Sequence, residues 1–108
     1  MALDPKDRRR YQRILVPTGH AILARGVNKG HRFEGIVSVI GLGGMFIRTR
    51  ESFAPGTILQ ISLTDPITSF DSECAVRDST ETGIGLEITS IEPVAQQKLQ
   101  FLLRQLKR

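Results

Sequence analysis

The segment Asp7-Arg8-Arg9-Arg10-Tyr11-Gln12-Arg13 places four guanidiniums within six residues, the densest positive charge in the chain. Only Asp4 and Asp7 stand near enough in sequence to neutralise them, so part of this charge must stay hydrated or meet something anionic. Arginine has a narrower chemistry than lysine. Its planar fork pairs two-pronged with a phosphate, or with the O6 and N7 acceptors of guanine. A solvated basic tail is the plain alternative, the common fate of terminal charge runs. What stands behind the arginines decides between the two.

The chain of 108 residues is the size of one domain and can bury a core without disulfides or metal. With 40% apolar and 24% charged residues it reads as globular. A single cysteine, Cys74, excludes an intrachain disulfide and a cysteine-based zinc site, and fits a reducing cytoplasm. No apolar run follows the N-terminal charges and no stretch approaches membrane-spanning length, so neither a signal peptide nor a membrane span is expected. The net charge of +4 is unevenly spread: residues 1–13 carry +3, residues 14–97 carry −3 and residues 98–108 carry +4. Basic ends invite nucleic acid. The chain, however, has five Phe, one Tyr and no Trp, spread out rather than gathered into a stacking platform, so nucleic acid is not the expected partner.

Short strands separated by turn residues follow the arginines. Ile14–Ala24 reads as the first, with Pro17 marking an edge or bend, and Arg25–Gly30 as a turn. Arg32–Ile40 is the second, with Phe33, Gly35, Val37 and Val39 on one face. Three glycines in Gly41-Leu42-Gly43-Gly44 then imply positive φ or close backbone approach. Met45–Arg50 is the third strand. Thr57–Leu63 is the fourth, alternating Leu59, Ile61 and Leu63 against Ile58, Gln60 and Ser62. Ser69–Asp78 and Ile84–Ile91 are the fifth and sixth. This spacing predicts an all-β body, and six short strands favour a closed barrel because a flat sheet would leave two exposed edges. The period then changes. Pro93 suits a first helical turn, Ser90 is a possible cap, and Ala95, Leu99, Leu102, Leu103 and Leu106 form one apolar stripe, giving a helix over about 93–107. Val94 and Phe101 widen the stripe beyond a single packing face and suggest a second use, against a partner protein or another copy.

This order of parts resembles the PilZ domain family: a flexible arginine-rich arm over residues 1–13, then a PilZ-like domain over 14–108 consisting of a six-stranded antiparallel barrel with a C-terminal α-helix. The family's first motif, Arg-Arg-x-x-x-Arg, is matched by Arg8, Arg9 and Arg13. Gly44-Met45-Phe46-Ile47-Arg48-Thr49 and Gly83-Ile84-Gly85-Leu86-Glu87-Ile88 are further family-like stretches. The resemblance implies a receptor for the bacterial second messenger cyclic di-GMP, with Arg9 and Arg13 as principal ligands, Arg8 assisting, and the backbone of Gly41 and Gly44 close to the nucleotide. The second family motif, Asp/Asn-x-Ser-x-x-Gly, departs. Aligned on Gly44, its acidic position is Val39 and its serine is Gly41. A shifted alignment using Ser38 and Gly41 puts Ile36 in the acidic place and spoils the fit of the third strand. Each lost side-chain hydrogen bond costs about 1–3 kcal/mol where desolvated.

Two functions therefore stand open: a cyclic di-GMP receptor, and a degenerate adaptor that works through protein contacts alone. Other chemistry is sparse. His20 and His31 have no carboxylate or cysteine at metal-ligand spacing, so no metal site is expected. Gly41–Gly44 lacks the Lys-Ser/Thr and following helix of a phosphate-binding loop. No catalytic dyad or triad is visible, and neither enzymatic activity nor a cofactor is expected.

Overall fold

A computed structural model describes residues 12–107. Arg8 and Arg9 lie outside the described residues. Seven strands, β1 (Arg13–Leu15), β2 (Leu23–Asn28), β3 (His31–Gly41), β4 (Gly44–Arg48), β5 (Ile58–Thr64), β6 (Ser69–Ser79) and β7 (Gly83–Ser90), precede one helix, α1 (Pro93–Leu106). All pairings are antiparallel, in the order β1-β3-β2-β5-β6-β7-β4, and a further pairing of β3 with β4 closes six strands into a ring. The expected all-β barrel with a C-terminal helix is thus present. Closure removes the edges that a flat sheet would expose.

The first expected strand is divided. Arg13–Leu15 pairs with Gly41–Val39, and Leu23–Asn28 pairs with Ile36–His31, so β1 and β2 lie in line along one edge of β3. Between them Pro17 interrupts the ladder and the chain loops out, re-entering where the Val37 amide donates to the Ile22 carbonyl. His20 lies in this loop with its Nε2 3.2 Å from the Asp65 carboxylate, which also accepts from the Ile67 and Thr68 amides. The loop is thereby pinned to the β5–β6 turn. The expected turn over Arg25–Gly30 shrinks to Lys29-Gly30, both at positive φ, as a two-residue hairpin requires.

A bulge between Val37 and Val39 resets the alternation of β3. Phe33 and Val37 face inward as expected, but beyond the bulge Ile40 takes the inner face and Val39, expected beside Val37, is only half-buried. Strand β5 follows its sequence pattern, with Leu59, Ile61 and Leu63 inside. Leu99, Leu102, Leu103 and Leu106 of α1 join Met45, Ile47, Ile84 and Leu86 in one core, so the helix covers the end of the barrel at which β7 stops. Ser90 is the last residue of β7, paired with Glu73, and does not cap the helix. Glu92 holds the cap position without a side-chain bond, and Pro93 occupies the first turn.

Cys74, in a strand of largely polar sequence, is fully buried. Burial pushes its thiol up to about 11; the Glu73 charge adds to this and the hydrogen bond with Ser72 opposes it. The thiol is therefore neutral at pH 7–8 and inert to thiol reagents while the protein stays folded. Since the folded state holds this proton more tightly than a thiol of ordinary pKa 9.0, stability is fully present below pH 9 and declines as pH rises towards 11. A loss on the order of 2–3 kcal/mol is expected over that range, absent in Cys74→Ala, as read by urea unfolding at several pH values. No such difference between the two proteins would mean that the thiol ionises freely in the fold.

Candidate functional site

The site is built where β1, β3, β4 and β7 lie side by side. The register aligns two transverse rows on the outer face. One joins Arg13–Gly41 to Gly44–Glu87 across the turn that follows the Ile40–Met45 pair; its neighbour runs Leu15, Val39, Phe46, Gly85. Strand alternation makes these the outward residues, while Met45, Ile47, Ile84 and Leu86 turn into the core. Three of the five expected site residues are thus brought together: Arg13, Gly41 and Gly44. Arg8 and Arg9 precede the described chain.

The glycines serve close approach rather than unusual dihedrals, since neither has positive φ. A Cβ at Gly41 would lie 2.5 Å from the Gln12 carbonyl oxygen. One at Gly44 would collide with the Leu86 carbonyl oxygen and sit 3.2 Å from Arg13 Nη2. Arg13 therefore crosses Gly41 and lays its guanidinium against Gly44, over a shelf with no side chain of its own. Glu87, the carboxylate that the register brings to this row, is paired with Arg77. Among the described residues no carboxylate pairs with Arg13. A guanidinium held over bare backbone, unpaired with any carboxylate of the described residues, suits a planar or phosphorylated anion.

The second row is apolar. Leu15 is 76% exposed beside Val39, and the Phe46 ring leans over Gly83 and Gly85. Val39 thus offers a methyl surface, without hydrogen-bonding groups, on the flank of the shelf. Sequence reasoning missed this row because the bulge that turns Val39 outward has no local signature. The vacant serine position has a steric reason: with Gln12 crossing Gly41 so closely, a serine side chain there would displace the start of β1. Gly41→Ser is therefore expected to destabilise the fold by about 1–3 kcal/mol and to weaken any ligand binding at Arg13. Val39→Asp, half-buried on the outer face and paired on both sides, should cost about 1 kcal/mol. Chemical denaturation of both variants checks this, and a Gly41→Ser protein as stable as the parent would mean that β1 takes another course.

The remaining polar clusters do not compete. His20 and His31 each meet a carboxylate through space, Asp65 and Glu51, but among the described residues no group of three potential ligands forms a metal site. No helix of the described residues is long and apolar enough to cross a membrane.

The PilZ domain profile matches residues 7–105, nearly the whole chain, and the chain belongs to the PilZ domain family. No curated protein matches the sequence significantly. Among solved structures the fold is similar to that of MrkH from K. pneumonia in complex with c-di-GMP, with a TM-score of 0.80 and 18% identity over 93% of this chain and 52% of that one. It is similar to the Bacillus subtilis inhibitor of motility MotI/DgrA, with a TM-score of 0.75 and 23% identity over 94% of this chain and 53% of that one. The PilZ domain of Escherichia coli YcgR with c-di-GMP matches with a TM-score of 0.73 and 17% identity, over 94% of this chain and 92% of that one. The chain spans about half the length of MrkH and MotI.

Proposed function

We propose that this chain is a cytoplasmic, non-enzymatic receptor module for cyclic di-GMP. Residues 1–13 form the ligand-gripping arm and residues 14–108 the domain it closes upon. Arg8, Arg9 and Arg13 supply guanidiniums to the phosphates and guanine edges, and the backbone at Gly41 and Gly44 forms the floor. The observation that carries this reading is the Arg13 guanidinium against Gly44, unmatched by any carboxylate of the described residues, within a complete Arg-Arg-x-x-x-Arg sequence. Cyclic di-GMP offers two phosphates and two Hoogsteen edges, the acceptors that arginine forks read. Structures of MrkH and of the YcgR PilZ domain with this nucleotide support the ligand class. Calorimetric titration at about 0.15 M salt, where loose charge binding is screened, tests it. Saturable binding is expected, and no heat at high ligand concentration would remove the receptor reading.

A second reading, an adaptor that ignores the nucleotide, draws on Val39. With an apolar side chain in the Asp/Asn place and glycine in the serine place, two hydrogen bonds to the ligand are unavailable, and the chain would act through protein contacts instead. The same titration separates the two.

A further inference from the structure

On α1, opposite the buried leucines, Val94 is 65% exposed and Phe101 37%, and Ile67 of the β5–β6 turn, 69% exposed, stands beside them. With Gln97 and Lys98 these residues line a shallow apolar hollow of about 320 Å³. At the start of the helix this hollow runs into a larger trough of about 630 Å³, whose walls carry Asp71, Glu73 and Glu92. Its one cation, Lys98, donates to the Ser69 carbonyl. None of the three carboxylates belongs to an ion pair among the described residues. At the other end of the helix Arg104 and Lys107 are exposed, and they too have no acidic partner among the described residues. One helix therefore presents an acidic end, an apolar middle and a basic end.

We infer that this face is a symmetric docking surface for a second copy of the chain, with the two α1 helices antiparallel. The spacing supports the two-fold. Val94 and Phe101 are seven residues apart, about 10.5 Å along the axis. A two-fold midway between them, at Gln97–Lys98, sets Val94 of one copy on Phe101 of the other, twice. The same axis puts Glu92, about 8 Å from the centre, opposite Arg104, about 10 Å from it. Their offset along the axis is then only about 1.5–2 Å, and the two long side chains can span the gap between the helices. Each basic helix end then rests over the other copy's acidic trough, so charge is matched at both ends of an isologous contact. A different protein could match the apolar middle. The chain's own helix also matches the charge order and the spacing. A 14-residue helix is only about 21 Å long, and the contact falls short of the roughly 800 Å² per partner of a standard interface. The dimer is therefore weak and salt-sensitive. This contact does not involve the Arg13 shelf and does not depend on nucleotide binding.

Sedimentation equilibrium of the purified full chain without nucleotide, up to about 1 mM protein and at low and high salt, tests it. A reversible monomer–dimer equilibrium that weakens with salt is expected. Phe101→Ser should weaken it at least about tenfold, with circular dichroism showing the fold retained. Arg104→Glu and Glu92→Arg, each alone, place like charges at both ends and should weaken it by about the same factor. Mixing those two variants should restore dimers to within about threefold of the parent, because only the mixed pair has opposite charges at both ends. A monomer over the whole range would overturn the inference and leave a different protein as the occupant. Dimers indifferent to these changes, or a mixture that stays monomeric, would overturn the antiparallel arrangement.

Discussion

Replacing Arg13 by alanine is expected to weaken cyclic di-GMP binding by about 100-fold or more while leaving the fold intact. The guanidinium lies against the buried Gly44, its fork unclaimed by any described carboxylate. Hydrogen bonds to a charged group contribute about 1.5–3 kcal/mol each, so losing a two-pronged contact costs about 3 kcal/mol or more, at 1.4 kcal/mol per tenfold in affinity. The Arg13 side chain is exposed and belongs to a three-residue strand, so stability should change by less than about 0.5 kcal/mol. Calorimetry with denaturant unfolding on the same sample reads both quantities. Arg9→Ala is expected to behave alike. An affinity unchanged in Arg13→Ala would place the ligand elsewhere or remove it altogether. Lysine at position 13 should recover only part of the loss, because a point charge cannot reproduce the fork.

The largest effect on stability is expected at Leu102→Ala. This leucine is 1% exposed and belongs to the core that α1 shares with the barrel interior. Truncation removes its transfer energy and leaves a cavity bounded by strands on one side and a helix on the other, a cost of about 3–5 kcal/mol. Domains of this size hold about 5–15 kcal/mol in total, so the variant loses a large share, and its Tm should fall by roughly 15–30 °C. Val94→Ala on the exposed face of the same helix is the internal control, with a change within about 0.5 kcal/mol. A loss at Leu102 below about 1 kcal/mol would mean that the helix rests on the barrel without sharing its core.

Strong local periodicity made part of this molecule legible from sequence. Leu59, Ile61 and Leu63 alternate cleanly, and Leu99, Leu102, Leu103 and Leu106 recur at helical spacing; both patterns match burial in the structure. Features whose decisive partner is distant in sequence were not legible in the same way. Pro17 was visible, but not that the chain would rejoin the same edge of β3 after a loop held by Asp65. Gly26 resembles a turn residue, yet it lies inside β2, where its missing side chain leaves room for the Phe33 ring across the ladder. Val39 keeps its alternation with Val37 only if β3 is regular, and the bulge reverses its face. Cys74 sits among polar residues in sequence but points into the core. At the site, the grouping of Arg13 with Gly41 and Gly44 followed from the family-like arginine spacing, while the apolar row through Leu15 and Val39 required the register itself.

The ring of six strands closes through β3 and β4, and β1 is added outside that closure by three residue pairs. Detaching β1 therefore breaks a short ladder without opening the barrel. Amide exchange in this strand can proceed by a local opening far cheaper than global unfolding, while the barrel amides wait for the whole domain. The strand that carries Arg13 is thus expected to open more readily than the scaffold it lies on, although Ile14 packs against the core. Whatever occupies the shelf stabilises that short strand first, at little energetic cost to the fold.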